Sequence, residues 1–322
     1  MKALITGITG FVGSHLADLL LTKNVEIIGL TRWRSPKENI QHIIDQMTLE
    51  YGDLLDFSSL YRILNKHRPD VVFHLAAQSY VPYSFDVPAA TLDVNVIGTC
   101  NLLEAIRISR DNRFDPIVHV CSSSECYGQV QEGETPIAED NPFRPASPYA
   151  VSKVAEDMLA FQYYTSWGMK IIRTRLFTHT GPRQGDVLVT SNFAKQIARI
   201  EAGIQQPVLK VGNLDSVRTF MDVKDAVIAY WLLVTKCPPG EVYNIGGDAT
   251  MTVGAMLQKL LRLSTRKDIE IASDPSRFRP SDVTLQIPCT EKFKLATGWE
   301  PKINFDDTLK DILEYWREKL YG

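Results

Sequence analysis

The chain begins MKALITGITGFVGSH (residues 1–15), and this stretch decides the fold. A short apolar run is followed by three glycines spaced three residues apart, Gly7, Gly10 and Gly13, and then by the first turn of a helical pattern. Glycines at such a turn let the backbone approach a ligand, and the free N–H groups of a helix N-terminus attract phosphate. The spacing is GxxGxxG rather than the more common GxGxxG, but its position between a strand and a helix predicts a dinucleotide site.

Working outward from this stretch, short apolar runs alternate with amphipathic segments. The runs are rich in Val and Ile and have the length of buried parallel strands. They are KALIT (2–6), EIIGL (26–30), DVVFHLAA (70–77), PIVHVCSS (116–123) and KIIRTR (170–175). The segments between them carry apolar residues at helical spacing, for example Leu60, Ile63 and Leu64. This alternation predicts an α/β fold with a doubly wound, Rossmann-like parallel sheet.

The pattern changes after about residue 176, where proline and glycine separate shorter segments. VLKVGN (208–213) and EVYNIGG (241–247) are typical of small strands. Helices are expected near 191–202, 223–235, 253–263 and 305–320. We therefore predict a Rossmann domain over residues 1–175 and a smaller α/β substrate lobe over 176–322, with some of its segments returning to the main sheet.

Composition excludes several classes of protein. The 322 residues are 44% hydrophobic with a formal net charge of -3, so there is no basic field for nucleic acid. No apolar run reaches membrane-spanning length, and Gly7 and Gly10 interrupt the first one before a signal-peptide core could form. The five cysteines form no CxxC pair and no cluster with histidine, so we expect neither a disulfide framework nor a metal site. A cytoplasmic enzyme with reduced thiols is expected.

The end of the second strand indicates which dinucleotide is bound. A strand at this place in an NAD-binding fold usually ends in an acid that holds the ribose 2′-hydroxyl. Here Leu30-Thr31 is followed by Arg32, Trp33, Arg34 and Ser35. Two guanidiniums and a hydroxyl suit a 2′-phosphate, which predicts NADP rather than NAD. The alternative is that both arginines belong to a solvated loop.

Other residues complete the predicted cofactor site. Asp53 in GDLLD could accept from the adenine amino group. Leu75, Ala76 and Ala77 end the fourth predicted strand, where small residues let the chain pass close under the cofactor. The alternative for those small residues is plain core packing. The predicted cofactor-binding set is Gly7, Gly10, Phe11, Val12, Gly13, Arg32, Arg34, Ser35, Asp53, Leu54, Leu75, Ala76, Ala77, Tyr149, Lys153 and His179.

Tyr149 and Lys153 of SPYAVSK share one face of a predicted helix. An ammonium beside a phenol favours phenolate, so Lys153 is expected to lower the pKa of Tyr149 and make it a general acid and base near neutral pH. The same spacing occurs at Tyr315 and Lys319, inside a C-terminal amphipathic helix where a surface position is expected. Tyr149 differs because it follows the fifth strand by one crossover, which brings it to the ligand-binding edge of the sheet.

The fifth strand ends in CSSSECYG (121–128). Ser123 is placed to hydrogen-bond a reacting hydroxyl, and Glu125 lies two residues further on. A carboxylate here is unnecessary for hydride transfer alone, but it could remove a proton from the carbon beside a ketone. The alternative is that Glu125 caps the following loop.

Several motifs together resemble the extended short-chain dehydrogenases/reductases over nearly the whole chain. They are GITGFVGSH, GDLLD, HLAAQS, SSSECYG, SPYAVSK and RPSDV, in that order. Within this group the sequence resembles the GDP-mannose 4,6-dehydratases and the neighbouring GDP-6-deoxy-hexose reductases. The stretches that carry this narrower resemblance are RWRS (32–35), HLAAQSYVPYSFD (74–86), VGNLDSVRTFMDVKDAVIAYW (211–231) and RFRPSDVTLQIP (277–288).

The resemblance implies roles for individual residues. Tyr149 would take the C4 hydroxyl proton as hydride passes to NADP⁺, and Glu125 would remove the C5 proton of the 4-keto sugar. Water would then leave C6 and hydride would return to C6. Arg218 and Arg279 would clamp a GDP diphosphate, and Asp282 would lie near the nucleotide ribose. The implied substrate-binding set is Gln78, Ser84, Ser124, Thr178, Asn192, Lys195, Arg218, Arg279 and Asp282.

Departures from the dehydratase pattern keep other activities open. Ser123 stands where the dehydratases usually have Thr, Thr178 where they have Asn, and Asn192 where they have a basic residue. FAKQI (193–197) is closer to the reductases. The hypotheses are a GDP-mannose 4,6-dehydratase, an NADPH-dependent reductase of a GDP-4-keto sugar, an epimerase or decarboxylase of another sugar nucleotide, and a non-catalytic NADP sensor. The complete set of Ser123, Tyr149 and Lys153 counts against the sensor.

The predicted helices around 89–106 and 148–166 carry apolar residues on more than one face. Such faces suit a helix bundle between subunits, which is common in this superfamily. We therefore expect a homodimer or homotetramer.

Overall fold

The computed structural model describes residues 1–131 and 133–321. Most strands in these residues are short. They are β1 (Lys2–Thr6), β2 (Glu26–Thr31), β3 (Thr48–Tyr51), β4 (Val71–His74), β5 (Ile117–Ser123), β6 (Ile171–Leu176), β7 (His179–Thr180), β8 (Val208–Val211), β9 (Val217–Asp222), β10 (Val242–Ile245), β11 (Ala249–Thr252), β12 (Glu270–Ser273) and β13 (Leu285–Gln286).

The helices connect and flank these strands. They are α1 (Phe11–Thr22), α2 (Phe57–His67), α3 (Val81–Asp86), α4 (Pro88–Leu92), α5 (Gly98–Ser109), α6 (Pro148–Trp167), α7 (Val189–Glu201), α8 (Val223–Lys236), α9 (Val253–Leu263), α10 (Glu291–Thr297) and α11 (Phe305–Tyr321). A π-helical turn, Asp93–Ile97, joins α4 to α5. Short 3₁₀ segments lie at Glu38–Gln46, Ser124–Cys126 and Pro275–Arg277.

The main sheet of the described chain has seven strands in the order β10-β6-β5-β4-β1-β2-β3. Every pairing in it is parallel. The strand order reverses between β1 and β4, which is where ligands bind in doubly wound sheets. The predicted α/β fold with a Rossmann-like sheet is confirmed.

Apolar helix faces cover both sides of this sheet, as the periodicity predicted. One core packs α1 and α8 on the sheet through residues such as Leu16, Leu20 and Tyr230. The opposite core packs α2, α5 and α6 through residues such as Ile63 and Leu102. With both faces covered, the strands are apolar along nearly their whole length, which explains why the sequence shows continuous apolar runs.

The C-terminal half adds a smaller sheet, β11-β9-β13 with β7 also pairing to β9, and a separate pair, β12-β8. A third core joins α7, α9 and α11 to β8 and β9. β10 pairs with β6 and so belongs to the main sheet. The division into residues 1–175 and 176–322 remains a proposal.

Predicted boundaries differ most where a strand ends at the ligand edge. The run 70–77 was expected to be a strand throughout, but β4 ends at His74, and residues 75–77 turn under the glycine loop. Elsewhere the differences are small: the helix expected at 191–202 is α7, and that expected at 305–320 is α11.

Candidate active site

The C-terminal edge of β5 and the start of α6 bring together Ser123, Tyr149 and Lys153. Ser147 begins α6 by accepting a hydrogen bond from the Ala150 N–H at 3.0 Å, and Pro148 occupies the first helical turn. This places Tyr149 in the first turn and Lys153 one turn later on the same face. All three predicted residues are buried, with Ser123 9%, Tyr149 8% and Lys153 5% exposed.

The contacts within this group are close. The Ser123 hydroxyl lies close enough to the Tyr149 phenol to lower its pKa. Its Oγ also accepts from the Glu125 N–H at 3.2 Å, so the Ser123 proton is free to be donated. The Lys153 Nζ lies 5.9 Å from the centroid of the Tyr149 ring and donates to the Cys121 carbonyl at 3.0 Å. The arrangement can pass a proton between a ligand hydroxyl and the phenol.

The pKa of the Tyr149 phenol reflects its burial as well as the nearby Lys153 ammonium. Burial raises the pKa of Tyr149 to about 12, although Lys153 and the Ser123 hydrogen bond lower it. Lys153 therefore acts in the predicted direction, but it does not outweigh the loss of solvent around the phenol. Sequence spacing reports the ammonium and not the burial, so the direction of the Lys153 effect could be predicted but the net pKa of Tyr149 could not. The role of Tyr149 as an acid and base near neutral pH stays a prediction.

Glu125 lies on the 3₁₀ turn after β5, partly exposed, and faces three other charged side chains. Burial raises the pKa of Glu125, Arg279 and Arg218 lower it, and Asp282 raises it. Arg218 Nη2 and Arg279 Nη1 approach Asp282 Oδ1 at 3.6 and 3.8 Å. The structure thus brings the predicted carboxylate and the predicted diphosphate clamp to one place.

A buried polar chain behind Lys153 was not predicted. The Lys153 Nζ is 2.6 Å from Glu156 Oε2, and the Thr99 hydroxyl contacts Glu156 Oε1 at 3.1 Å. His74 lies next, with Nε2 2.9 Å from Thr99 Oγ1 and Nδ1 2.9 Å from Thr6 Oγ1. The i,i+3 spacing of Lys153 and Glu156 was visible in the sequence, but most such pairs are at the surface.

The glycine loop is packed too tightly for side chains. Gly7 has φ +74, and a Cβ there would lie 2.9 Å from the Ala76 N. A Cβ on Gly13 would lie 2.3 Å from the Gly7 O. In the described chain no side chain caps α1 at Gly10, so its first N–H groups are available to a phosphate. The predicted residues Ala76 and Gly7 therefore meet where the strand order reverses.

The arginine loop lines a depression of about 970 Å³ that includes Arg32, Arg34, Ser35 and Asp53. Both guanidiniums are exposed, and across residues 1–131 and 133–321 neither forms an ion pair. The depression therefore offers two uncommitted cations and a hydroxyl next to the predicted adenosine residue, which fits a ribose 2′-phosphate.

Three other predicted cofactor residues have different surroundings. His179 stacks on Phe11 with ring centroids 5.7 Å apart, and burial lowers its pKa, so it is neutral. Leu54 is 5% exposed and its side chain packs against Gly98 inside the core. Its side chain is thus a core element, and any contact with a cofactor would come from its backbone.

Predicted substrate residues Gln78 and Ser84 have their polar groups engaged within the chain. Ser84 is fully buried and donates to the Val81 carbonyl at 2.6 Å. The Gln78 side chain bonds Thr91 at 3.0 Å and the Tyr80 N–H at 2.6 Å. Both side chains stabilise the segment after β4, and the Ser84 burial counts against a direct contact with substrate.

The contacts of Asn192 and Lys195 on α7 are with residues other than Glu125, Arg218, Arg279 and Asp282. Lys195 pairs with Asp186 and lines a separate depression of about 290 Å³ with Trp316. Asn192 accepts from Arg277 at 2.8 Å. Thr178, half-buried after β6, precedes His179 at the sheet edge. Their substrate roles remain predictions.

Gln286 is a further residue that the sequence did not single out. It is 2% exposed on β13, in register with Arg218, and its Oε1 accepts from the Ser124 hydroxyl at 3.1 Å. Its Nε2 is buried with no hydrogen-bond partner in the described structure. A glutamine inside an apolar strand, VTLQIP, is the signal that could have drawn attention to it.

Other features of the described residues concern chemistry away from this site. The five cysteines are free thiols. No group of three or more His, Cys, Asp or Glu is arranged to hold a metal ion in the part of the chain that the structure describes. None of the described helices combines the length and the apolar character needed to cross a bilayer.

Comparison with known proteins gives one family and closely similar folds. A model of the family described as GDP-mannose 4,6 dehydratase matches residues 4–312. The chain is 34% identical to a GDP-mannose 4,6-dehydratase of Yersinia enterocolitica over 97% of its own length and 92% of the relative's. It is 33% identical to a GDP-6-deoxy-D-mannose reductase of Pseudomonas aeruginosa, over 99% and 98% of the two chains.

A solved structure of RMD from Pseudomonas aeruginosa, complexed with NADPH, superposes with a TM-score of 0.85 at 33% identity. It covers 99% of each chain. The two sequence alignments differ in length. The dehydratase alignment runs over 352 positions, which exceeds the 322 residues of this chain and so requires gaps, whereas the reductase alignment runs over 320.

Proposed function

The chain belongs to the GDP-mannose 4,6-dehydratase family of extended short-chain dehydrogenases/reductases, and from this premise we propose that it converts GDP-mannose to a GDP-4-keto-6-deoxy-hexose. The observation that carries the proposal is the match of residues 4–312 to the GDP-mannose 4,6 dehydratase family. Glu125, a carboxylate whose pKa burial raises, lies at the strand edge with Ser123 and Tyr149 and fits this reaction, although the neighbouring reductases carry Glu at this point as well. A base at that point serves a reaction with a C5 proton to remove, beyond the oxidation itself.

The chain's own residues divide the work. Tyr149 accepts the C4 hydroxyl proton, with Ser123 hydrogen-bonded to the same oxygen and Lys153 stabilising the phenolate. Glu125 removes the proton at C5, which the neighbouring ketone acidifies, and returns it to the departing C6 oxygen as water leaves. A raised pKa suits Glu125 to both halves of this exchange. A bound nicotinamide would supply the hydride acceptor and donor. As hydride returns to C6, the proton that Tyr149 took from the C4 hydroxyl is delivered to C5, which restores the phenolate for the next turnover.

Two arginines are proposed to hold the substrate's diphosphate. Arg218 and Arg279 both approach Asp282 at distances beyond an ordinary hydrogen bond, 3.6 and 3.8 Å, so their donors are not consumed by it. Guanidinium forks match phosphate oxygens geometrically. Asp282, held by Asn213 at 2.8 Å and Ser216 at 3.1 Å, would face the nucleotide ribose.

NADP is proposed as the cofactor, and the support is the arginine loop. Arg32, Arg34 and Ser35 lie at the depression that holds Asp53, where a 2′-phosphate would be bound. The NADPH named for the RMD structure is consistent with this choice. A homodimer or homotetramer in the cytoplasm is also proposed, from the apolar helix faces of α5 and α6 and from the free thiols.

A second candidate is an NADPH-dependent reductase of a GDP-4-keto-6-deoxy-hexose. The observation that favours it is the nearly gap-free alignment with the Pseudomonas reductase, together with Thr178 at a position where the dehydratases have Asn. This activity needs Tyr149 as a proton donor, and Glu125 would have no step of its own.

Mass spectrometry separates the two candidates. Incubation with GDP-mannose and no added reductant should give a product lighter by one water, and Glu125→Gln should lower that rate roughly 10²–10⁴-fold. The matched control Glu104→Gln, a carboxylate paired with Arg107 on α5, should keep the wild-type rate. If GDP-mannose stays unchanged while NADPH is oxidised with a GDP-4-keto-6-deoxy-hexose, the reductase is the correct activity. No reaction across GDP-, UDP-, dTDP- and CDP-hexoses would overturn both.

A further inference from the structure

Glu156 is the one described carboxylate in contact with the Lys153 ammonium. Its Oε2 lies 2.6 Å from the Lys153 Nζ, and the side chains are 1% and 7% exposed. The two residues are three positions apart on α6, so the helix itself holds them together. Water therefore has little access to either charge.

Because Lys153 is buried, its contact with Glu156 affects the pKa of the amine. An amine removed from water favours its neutral form, and buried lysines can lose their proton near neutral pH. Burial alone would lower the pKa of Lys153, but Glu156, followed by Tyr149 and Cys121, raises it above its ordinary value. The carboxylate thus compensates for the solvent that the ammonium lost.

Titratable or charged groups on three elements face this pair. They are Tyr149 and Asp157 on α6, His74 on β4, and His119 and Cys121 on β5. Burial lowers the pKa of His74 and His119 to about 3, so both are neutral. Burial raises the pKa of Tyr149 and of the Cys121 thiol, so these are neutral too.

Asp157 carries a charge that other cations neutralise. Arg173 and Arg175 each contact it at 2.8 Å. Glu156 is therefore the only carboxylate, within residues 1–131 and 133–321, that is committed to Lys153.

The remaining contacts of Glu156 fix its orientation. Thr6 Oγ1 accepts from the N–H groups of Leu75 and Ala76 at 3.1 Å, so its own proton goes to His74 Nδ1. His74 then donates from Nε2 to Thr99, whose hydroxyl contacts Glu156 Oε1. These hydrogen bonds between neutral side chains engage Glu156 Oε1 and leave Glu156 Oε2 to contact Lys153.

We propose that Glu156 is a positioning residue that keeps the buried Lys153 amine in its ammonium form, so that Lys153 can act on Tyr149 throughout the working pH range. The inference rests on the proposed role of Tyr149 and Lys153, but not on which sugar nucleotide is turned over. The side chain of Glu156 contacts Lys153 and Thr99 and not the Tyr149 hydroxyl, so it acts through Lys153.

The direct test follows the Lys153 proton in the NADP⁺-saturated protein labelled with [ε-¹³C]lysine, with Lys153→Arg to assign the resonance. In the wild type the Lys153 signal should show no titration up to pH 10. In Glu156→Gln it should titrate at least two pH units below the ordinary lysine value of about 10.4, a hundredfold increase in acid dissociation. Glu156→Asp keeps the charge and should behave as the wild type, as should the control Glu104→Gln.

A titration in Glu156→Gln that stays above pH 10 would overturn the proposal. In turnover, the same variant should lose kcat at alkaline pH with the midpoint seen by NMR and with KM little changed. Because the NMR arm needs no substrate, a wrong proposed function would leave its result intact.

If Glu156→Gln does not fold, the double variant Lys153→Met/Glu156→Gln decides the matter. It should fold, because it leaves no unpaired buried charge. If it is also unfolded, Glu156 serves Thr99 and His74 rather than Lys153, and the proposal fails.

Discussion

At the scale of single residues, Tyr149 is the group on which the proposed chemistry depends. Burial raises its pKa to about 12, so the phenol is protonated until a ligand and Lys153 favour the phenolate. Because the base form is the deprotonated one, the rate of C4 oxidation should rise with pH along an acid limb that belongs to Tyr149. Tyr149→Phe should lower kcat roughly 10²–10⁴-fold, remove this limb and leave KM nearly unchanged, as measured by steady-state rates across pH.

The chain provides a matched control for that substitution. Tyr315 and Lys319 repeat the YxxxK spacing on α11, with the Lys319 Nζ 3.3 Å from the Tyr315 hydroxyl and Lys319 44% exposed. Tyr315→Phe should therefore retain the wild-type rate and pH profile. If Tyr149→Phe and Tyr315→Phe lowered kcat equally, the assignment of Tyr149 as the catalytic tyrosine from its position at the strand edge would be wrong.

At the scale of elements, the loop after β2 is proposed to set the cofactor preference. Arg32 and Arg34 are exposed and line the depression beside Asp53. Charge-assisted hydrogen bonds contribute about 1.5–3 kcal/mol each, so loss of one bond from each arginine in Arg32→Ala/Arg34→Ala should weaken NADP⁺ binding at least about 100-fold. NAD⁺ has no 2′-phosphate, and its affinity should not change. Calorimetric titration with both nucleotides gives this comparison without turnover.

Arg113, an exposed arginine between α5 and β5, supplies the control for charge alone. Arg113→Ala should leave both affinities unchanged. A double variant that weakens NAD⁺ and NADP⁺ equally would mean that the loop shapes the site rather than reading the phosphate.

The sequence predicted the strands, helices and turns better than it predicted which polar side chains are buried. The positions of Gly7 and Gly13 predicted the turn between β1 and α1. A Cβ at either residue would clash with backbone atoms, so the requirement for glycine can be recognised from the short sequence around the turn. Glu156 and Gln286 could not be found in the same way. Both are polar residues whose significance comes from burial at 1% and 2%, and burial depends on residues distant in sequence. The net pKa of Tyr149 could not be predicted from the sequence for the same reason, because it depends on burial.

At the scale of the whole molecule, the apolar side chains exposed on α6 and on the turn before α5 support the proposed assembly of subunits. Ile97, the last residue of the π-helical turn that leads into α5, is 51% exposed, and Met158 and Phe161 on the neighbouring α6 are 40% and 42% exposed. Large side chains exposed together on neighbouring helices are typical of an interface between subunits. A second copy of the chain could cover this face with its own, which is the arrangement of a two-fold dimer.

Introducing charge on this face should therefore dissociate the protein. Ile97→Lys/Phe161→Lys should elute as a single chain of 36.3 kDa in size exclusion with light scattering, while the wild type has at least twice that mass. Leu295→Lys is the matched control, since Leu295 is 84% exposed on α10, away from this face, and it should keep the wild-type mass. Circular dichroism would check that the double variant keeps its fold. A wild type that is already a single chain, or a double variant of unchanged mass, would refute the dimer, because two buried lysines facing their own copies cannot be accommodated without a large loss of association energy.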